Sequence, residues 1–410
     1  MPQAPYVSPE VLEAIFELLV PDDKDAFRYD VLAASLTCRL WYAVGSYYFN
    51  DKSLQNLFES TDNRSHANLV RTRLLLAESQ RLGVCHGRHV KRIHLCMTNA
   101  WFGRNSDHSE AVDCIADIPA LTPNLTDVRL HLGVPHGGLE ARLSFHESLK
   151  PYCANVERLH VGMKLFSAPH QKLADLIADM HKLTIIDFMY MDFTPELLDA
   201  LKKCTGIKYV TFNRARIRDA HLCISHWPSL RSLEVNAALR TYCEELWEAV
   251  AKSCPLLREL IYTDPSNDEY LLPDKTQLFE VLAKCSKLKV LYVKAHPGIG
   301  SEFLAAAMRD GRALTHLTLR NCKNVVIERG AAWETVEWSC PWLEDLDLIG
   351  CGLVADVFVE RVLERCRRIC KIAFSEERDA TWPVLLEAVD FVRGTDGVWK
   401  RPVVEEVDYY

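Results

Sequence analysis

The densest group of side chains that could bind a metal lies between residues 85 and 96 of this 410-residue chain. Its members are the thiol and imidazole groups that zinc prefers as ligands: Cys85, His86, His89, His94 and Cys96. However, the sequence contains no Cys-x-x-Cys pair, and His94 lies between two apolar strand-like positions, which turns its side chain outward. The pattern therefore favours a cysteine-rich turn with surface histidines, and we predict no metal site.

Motifs for other chemistry are absent from the sequence. It lacks the GxxxxGK[ST], GxGxxG, HExxH and GxSxG patterns of phosphate loops, dinucleotide sites, zinc peptidases and hydrolases. Arg214, Arg216 and Arg218 follow one strand-like segment and could form an anion-binding corner, although a solvated edge of mixed charge is the favoured interpretation. We predict a protein that is not an enzyme and uses no cofactor.

Composition narrows the choice of partner and compartment. With 48 Lys and Arg against 56 Asp and Glu, the formal charge is −8, which disfavours nucleic acid or an anionic membrane as the main partner. The first residues show no secretory pattern, and no apolar run approaches the ~18 residues of a membrane-spanning helix. The 15 cysteines, an odd number, suggest reduced thiols. We predict a cytoplasmic or nuclear protein.

The elements that position the remaining candidates come from a repeat. An L-x-x-L-x-L-like pattern recurs eleven times, with first positions 23 to 35 residues apart: Val90, Leu125, Val156, Leu183, Ile207, Leu230, Leu257, Leu288, Leu314, Leu343 and Ile369. The second and third apolar positions of each unit alternate with a polar residue, as in a short strand with one buried face. Amphipathic segments such as PELLDALKKC precede most of these strands.

Cysteines occupy two fixed places in this repeat. Six lie three residues before the first apolar position: Cys153, Cys204, Cys254, Cys285, Cys340 and Cys366. Cys322 and Cys351 lie three residues after the third apolar position, where leucine-rich repeats accept Asn or Cys. We interpret all eight as packed thiols. This part of the chain, about residues 88 to 375, resembles the cysteine-containing leucine-rich repeats.

The resulting fold prediction is α/β. We expect a leucine-rich-repeat solenoid with a curved parallel sheet on its concave side, helices on its convex side and a small all-α module at the N-terminus. The predicted segments are the module at 6–50, a helical linker at 51–87, about eleven repeats at 88–375 and a C-terminal cap and tail at 376–410. The extra residues of the longer repeats fall in strand-to-helix loops at Met97–Glu110, Gly133–Gly138 and Thr263–Thr276.

The N-terminal segment carries two helical patterns. The Ser8-Pro9-Glu10 start is a helix-initiation signal, and a second pattern with leucines spaced by four follows it. The apolar and aromatic positions that stand out are Pro9, Leu12, Ile15, Phe16, Leu19, Leu36, Cys38 and Trp41. This spacing resembles an F-box, the helical module by which substrate receptors dock on the Skp adaptor of cullin–RING ubiquitin ligases. The resemblance implies that these residues bind the adaptor.

Two functions remain open at this point. The resemblance implies a substrate-recognition adaptor of a Skp–cullin–F-box ligase, which recruits a protein and performs no bond chemistry itself. The alternative is a repeat scaffold that binds proteins without any ligase, in which the N-terminal helices only cap the solenoid.

Strand alternation predicts the surface that would bind the recruited protein. Side chains between the apolar positions point to the opposite face of each strand, and we expect them to line the concave face. They are Arg129, His131, His160, Asp187, Asn213, Glu234, Asn236, Tyr292, Lys294, Arg320 and Asp347. Because both charges are present, an unidentified protein suits this surface better than nucleic acid does.

Overall fold

The computed structural model describes most of the chain between residues 65 and 401 and four residues near the N-terminus. The described residues are Ser8, Val11, Ala14, Ile15, 65–83, 85–97, 109–132, 146–163, 170–215, 219–236, 244–263, 277–296, 298–327, 337–352, 354–375, 382–387, 389–394 and 398–401. The chain divides into two compact units, Met1–Gly206 and Ile207–Tyr410.

In the described part of the first unit, strands alternate with helical segments. The strands are β1 (Arg92–Met97), β2 (Asp127–Leu132), β3 (Arg158–Met163) and β4 (Ile185–Met189). The helices are α1 (Ser65–Arg81), α2 (Ser109–Leu121), α3 (His170–Ala178) and α4 (Pro195–Lys203), with 3-10 turns at His86–His89 and Lys150–Asn155. Sequential strands pair in parallel from β1 to β4.

The described part of the second unit repeats the same plan. Its strands are β5 (Tyr209–Asn213), β6 (Ser232–Asn236), β7 (Glu259–Thr263), β8 (Val290–Lys294), β9 (His316–Arg320), β10 (Asp345–Leu348) and β11 (Lys371–Phe374). Its helices are α5 (His221–Ile224), α6 (Glu244–Ser253), α7 (Gln277–Lys284), α8 (Ser301–Asp310), α9 (Asp356–Arg365) and α10 (Trp382–Glu387). Strands β5 to β11 pair in parallel, each with the next.

The predicted apolar ladder forms the core of both units. Every ladder side chain that the structure describes is at most 6% exposed. The register brings equivalent positions together, since Leu291 pairs with Leu317 and Leu317 pairs with Leu346. The predicted leucine-rich-repeat fold, a parallel sheet with helices between its strands, is confirmed.

The eight cysteines assigned to packing are buried and unpaired as disulfides. Most of them also donate a weak hydrogen bond from the thiol to a backbone carbonyl of the preceding repeat. Cys340 Sγ lies 3.1 Å from Met308 O, and Cys351 Sγ lies 2.7 Å from Leu319 O. A thiol therefore fills the slot and also joins adjacent repeats, which an alanine could not do.

Several strands are followed, at the same position of the repeat, by a residue with a left-handed backbone conformation. Two residues after the third ladder position, φ is positive at Tyr190, Arg214, Ala295, Asn321 and Gly350. Ala295 also donates its backbone N–H to Arg320 O of the next repeat, at 2.8 Å. The strand-to-helix turn is thus tied to its neighbour by the backbone itself.

Residues near the C-terminus extend the sheet of the second unit. Strand β12 (Val392–Arg393) pairs antiparallel with β13 (Trp399–Lys400), and β13 pairs antiparallel with β11. Pairing of β13 covers the backbone groups that β11 would otherwise leave open at an edge. No helix among the described residues has the length and apolar character needed to cross a membrane.

Candidate functional site

The outer sheet face, defined here as the strand side chains that alternate with the buried ladder, carries most of the predicted binding residues. In the first unit, His94, Arg129, His160 and Asp187 lie side by side on β1 to β4. Those four side chains are half-exposed. His131 occupies the next outer position of β2, but its side chain lies outside the described residues.

Polar contacts to two aspartates tie this row together. His160 Nδ1 lies 2.5 Å from Asp187 Oδ2. Asp127, only 5% exposed, accepts hydrogen bonds from Arg92 Nε at 2.8 Å and Arg129 Nε at 3.4 Å. Arg92 and Asp127 were missed from the sequence, although extending the alternation one position toward the strand start would have found them.

His94 faces outward as predicted and is half-buried. Burial lowers its pKa, and the nearby Arg129 and His160 lower it further. His94 is therefore mostly neutral at pH 7. Among the described residues, no group of three or more His, Cys, Asp or Glu side chains could hold a metal ion. The side chains of His86, His89 and Cys96 lie outside that description.

The outer sheet face of the second unit holds the other predicted residues. Asn213 pairs in register with Asn236, and Lys294 pairs with Arg320. Together with Glu234 and Tyr292, these side chains are half-exposed. The sheet therefore brings them onto one surface.

Glu234 and Glu259 are held by neutral donors. Asn236 Nδ2 donates to Glu234 Oε1 at 2.7 Å, and Thr211 Oγ1 donates to Glu234 Oε2 at 3.4 Å. Ser232 Oγ donates to Glu259 Oε2 at 2.8 Å. These contacts orient both carboxylates and leave their negative charge in place.

Asp347 was predicted as an exposed contact residue, and this prediction is wrong. It is 2% exposed, because the Arg320 side chain covers it with Nη2 2.5 Å and Nε 2.7 Å from Oδ2. Its other oxygen accepts the backbone N–H of Ile349 at 3.1 Å, and the hydrogen bond to Asp347 raises the pKa of Arg320. Asp347 therefore holds Arg320 in place and does not itself meet a partner.

Apolar side chains also lie on this face. Ile261 and Val290 occupy outer positions of β7 and β8 and are half-exposed. Ile261 and Val290 were not predicted as binding residues, because the predicted set was nearly all polar. An apolar residue at an outer strand position was the sequence signal that could have identified them as binding residues.

The arginine corner is only partly described. Arg214 lies in the left-handed turn after β5 with φ 51° and is exposed. Arg216 and Arg218 lie outside the described residues. The predicted rim loops also fall almost entirely outside them.

Four residues of the N-terminal segment are described. Ser8 Oγ accepts the backbone N–H of Val11 at 3.4 Å, and Val11, Ala14 and Ile15 are helical. The predicted helix start is thus confirmed, with Val11 51% exposed and Ile15 half-buried. The other candidate adaptor-binding residues lie outside the described residues: Pro9, Leu12, Phe16, Leu19, Leu36, Cys38 and Trp41.

Comparison with known proteins gives structural likenesses alone. No protein-family model matches the sequence, and no curated protein sequence matches it significantly. A crystal structure of the Rad7 and Elc1 complex of yeast is similar over 93% of this chain and 97% of that chain, with TM-score 0.43 and 14% identity.

Two bacterial structures are also similar. Internalin InlF of Listeria monocytogenes matches over 72% of this chain and 76% of its own, with TM-score 0.38 and 14% identity. A leucine-rich-repeat protein of Leptospira interrogans matches over 72% and 74%, with TM-score 0.37 and 12% identity.

Proposed function

We propose that this chain is a non-catalytic receptor that binds a protein on the outer sheet face of its repeats. The observation that carries the proposal is the row of half-exposed side chains of both charges on β5 to β9, anchored on fully buried ladder residues. Because the strands that carry them are packed on this ladder, a partner need not order the backbone of this surface. Mixed charge suits a protein surface better than a phosphate backbone.

The N-terminal segment supplies the second half of the proposal. Its resemblance to an F-box supports docking on the Skp adaptor and, through it, on a cullin–RING ligase that modifies the bound protein. The helical spacing of Leu12 and Ile15 in the sequence suits helix-in-groove recognition. In this function, the chain connects a substrate to a ligase and transfers nothing itself.

Titration of the purified chain with the Skp adaptor tests the docking step. Leu12→Asp with Ile15→Asp places two charges on the apolar stripe of the first helix, so we expect binding to weaken at least a hundredfold. The measurement is isothermal titration calorimetry.

Leu74→Asp with Leu82→Asp is the matched control, because these two leucines are 56% and 46% exposed and lie outside the F-box-like segment. This control should bind the adaptor as the unmodified chain does. Absence of binding by the unmodified chain would favour the scaffold without ligase function. If Leu12→Asp with Ile15→Asp binds the adaptor undiminished, the result would favour the interpretation that the N-terminal helices only cap the solenoid.

A further inference from the structure

An apolar cluster lies at the centre of the outer sheet face of the second unit. Ile261 pairs in register with Tyr292. Val290 lies on the same strand as Tyr292, two residues before it. All three side chains point away from the core by strand alternation and are half-exposed. A tyrosine beside aliphatic side chains is typical of the centre of a protein-binding surface.

Two carboxylates border this cluster on one side. Glu234 is the register neighbour of Ile261, and Glu259 is the register neighbour of Val290. Their described hydrogen bonds come from Asn236, Thr211 and Ser232, which carry no charge. Within the described residues neither carboxylate forms an ion pair, so this border stays negative.

An ammonium group lies on the other side. Lys294 follows Tyr292 by two residues at the end of β8 and pairs in register with Arg320. Arg320 is occupied by the buried Asp347, whereas Lys294 forms no ion pair with any described residue. From strand spacing and rise, the Glu234 and Lys294 backbones are roughly 12 Å apart across the apolar cluster.

We propose that these six residues, called here the Tyr292 patch, bind an extended segment of the partner protein. The Tyr292 patch consists of Glu234, Glu259, Ile261, Val290, Tyr292 and Lys294. The segment carries Lys or Arg toward the glutamates, an apolar side chain over Tyr292, and Asp or Glu toward Lys294. At about 3.4 Å per residue, its two charges are three or four residues apart. This inference rests on the proposed receptor function and gives its ligand a chemical class.

A displayed library of random twelve-residue peptides, selected on the full-length chain, tests the proposal. We expect the selected peptides to carry the order basic, apolar, acidic at that spacing. Glu234→Lys with Glu259→Lys repels the basic residue, so affinity for these peptides should fall at least tenfold by fluorescence anisotropy. A peptide with that residue changed to Glu should bind the same variant better than the original peptide does.

Two further variants keep the test decisive if the charge reversal harms folding. Tyr292→Ala should also weaken binding at least tenfold. Glu360→Lys with Glu364→Lys makes the same charge change at two exposed glutamates of α9, and it should change affinity less than twofold. Thermal melts of all variants monitor folding.

Other outcomes overturn the inference. Selected peptides without the charge order, peptides indifferent to the Glu234 and Glu259 reversal, or no selected peptide at all would each do so. Adaptor binding is measured on the same preparations. If it persists while the peptide result fails, the Tyr292 patch is wrong and the proposed docking on the Skp adaptor is not affected.

Discussion

At the scale of single residues, the buried cysteines of the repeat have raised thiol pKa values. Burial raises the pKa of Cys340, Cys351 and Cys366 to about 12, so these thiols stay protonated at pH 7 and can donate hydrogen bonds. Because their folded pKa values lie above the ordinary value of about 8.5, they stabilise the fold fully below about pH 8.5. This contribution is lost as the pH rises toward 12.

Thiol alkylation of the native protein at pH 8 tests this account. We expect Cys370, the exposed cysteine of the described set, to react fastest, and the seven thiols whose pKa burial raises to about 11 or 12 to react only on unfolding. Their positions are Cys204, Cys254, Cys285, Cys322, Cys340, Cys351 and Cys366. Peptide-resolved mass spectrometry measures each rate.

A denatured sample is the control, in which all of these cysteines should react at similar rates. Rapid native labelling of Cys340 or Cys366 would contradict the packed-thiol interpretation. So would a disulfide that involves either residue.

The sequence correctly predicted which face of a strand each side chain lies on, but it did not predict how deeply a side chain is buried. Alternation correctly placed Leu346 inside and Asp347 on the opposite side of β10. It could not show that Arg320, 27 residues earlier, covers the carboxylate and buries it. That contact depends on the register between β9 and β10, which no local pattern specifies.

At the scale of the elements, a left-handed residue follows five of the described strands, where one repeat leads into the next. Ala295 adopts φ 57°, a conformation that costs an L-residue about 1–2 kcal/mol and a glycine little. Its N–H donates to Arg320 O of the next repeat. A glycine at this position would keep the same bond.

Ala295→Gly should therefore stabilise the protein by about 1 kcal/mol, because the left-handed strain disappears while the hydrogen bond stays. Chemical denaturation of the full chain measures the change. Ala249→Gly, in the interior of α6, is the matched control and should destabilise by about 1 kcal/mol. Destabilisation by Ala295→Gly as well would show that the turn does not carry this strain.

The repeat pattern predicted the elements well because each strand and its preceding helix are encoded locally. The apolar positions at helical spacing in PELLDALKKC form α4, and Leu197, Leu198 and Leu201 are buried there. The left-handed turn was not predicted, because four different residue types besides glycine occupy it.

At the scale of the whole molecule, the chain divides into two compact units at Gly206. The predicted ladder continues in sequence across that point, from Leu183 to Ile207. The proposed function needs two separable surfaces, the F-box-like helices for the adaptor and the Tyr292 patch for the partner. Variants in one surface should leave the other able to bind.

Affinity purification of the tagged full-length chain from cells, with quantitative mass spectrometry, tests this central claim most directly. We expect the unmodified chain to retain the Skp adaptor, a cullin and a set of other proteins. Leu12→Asp with Ile15→Asp should lose the adaptor and cullin and keep the others, whereas Glu234→Lys with Glu259→Lys should do the reverse. Absence of the adaptor and cullin from the unmodified chain's complexes would contradict the account.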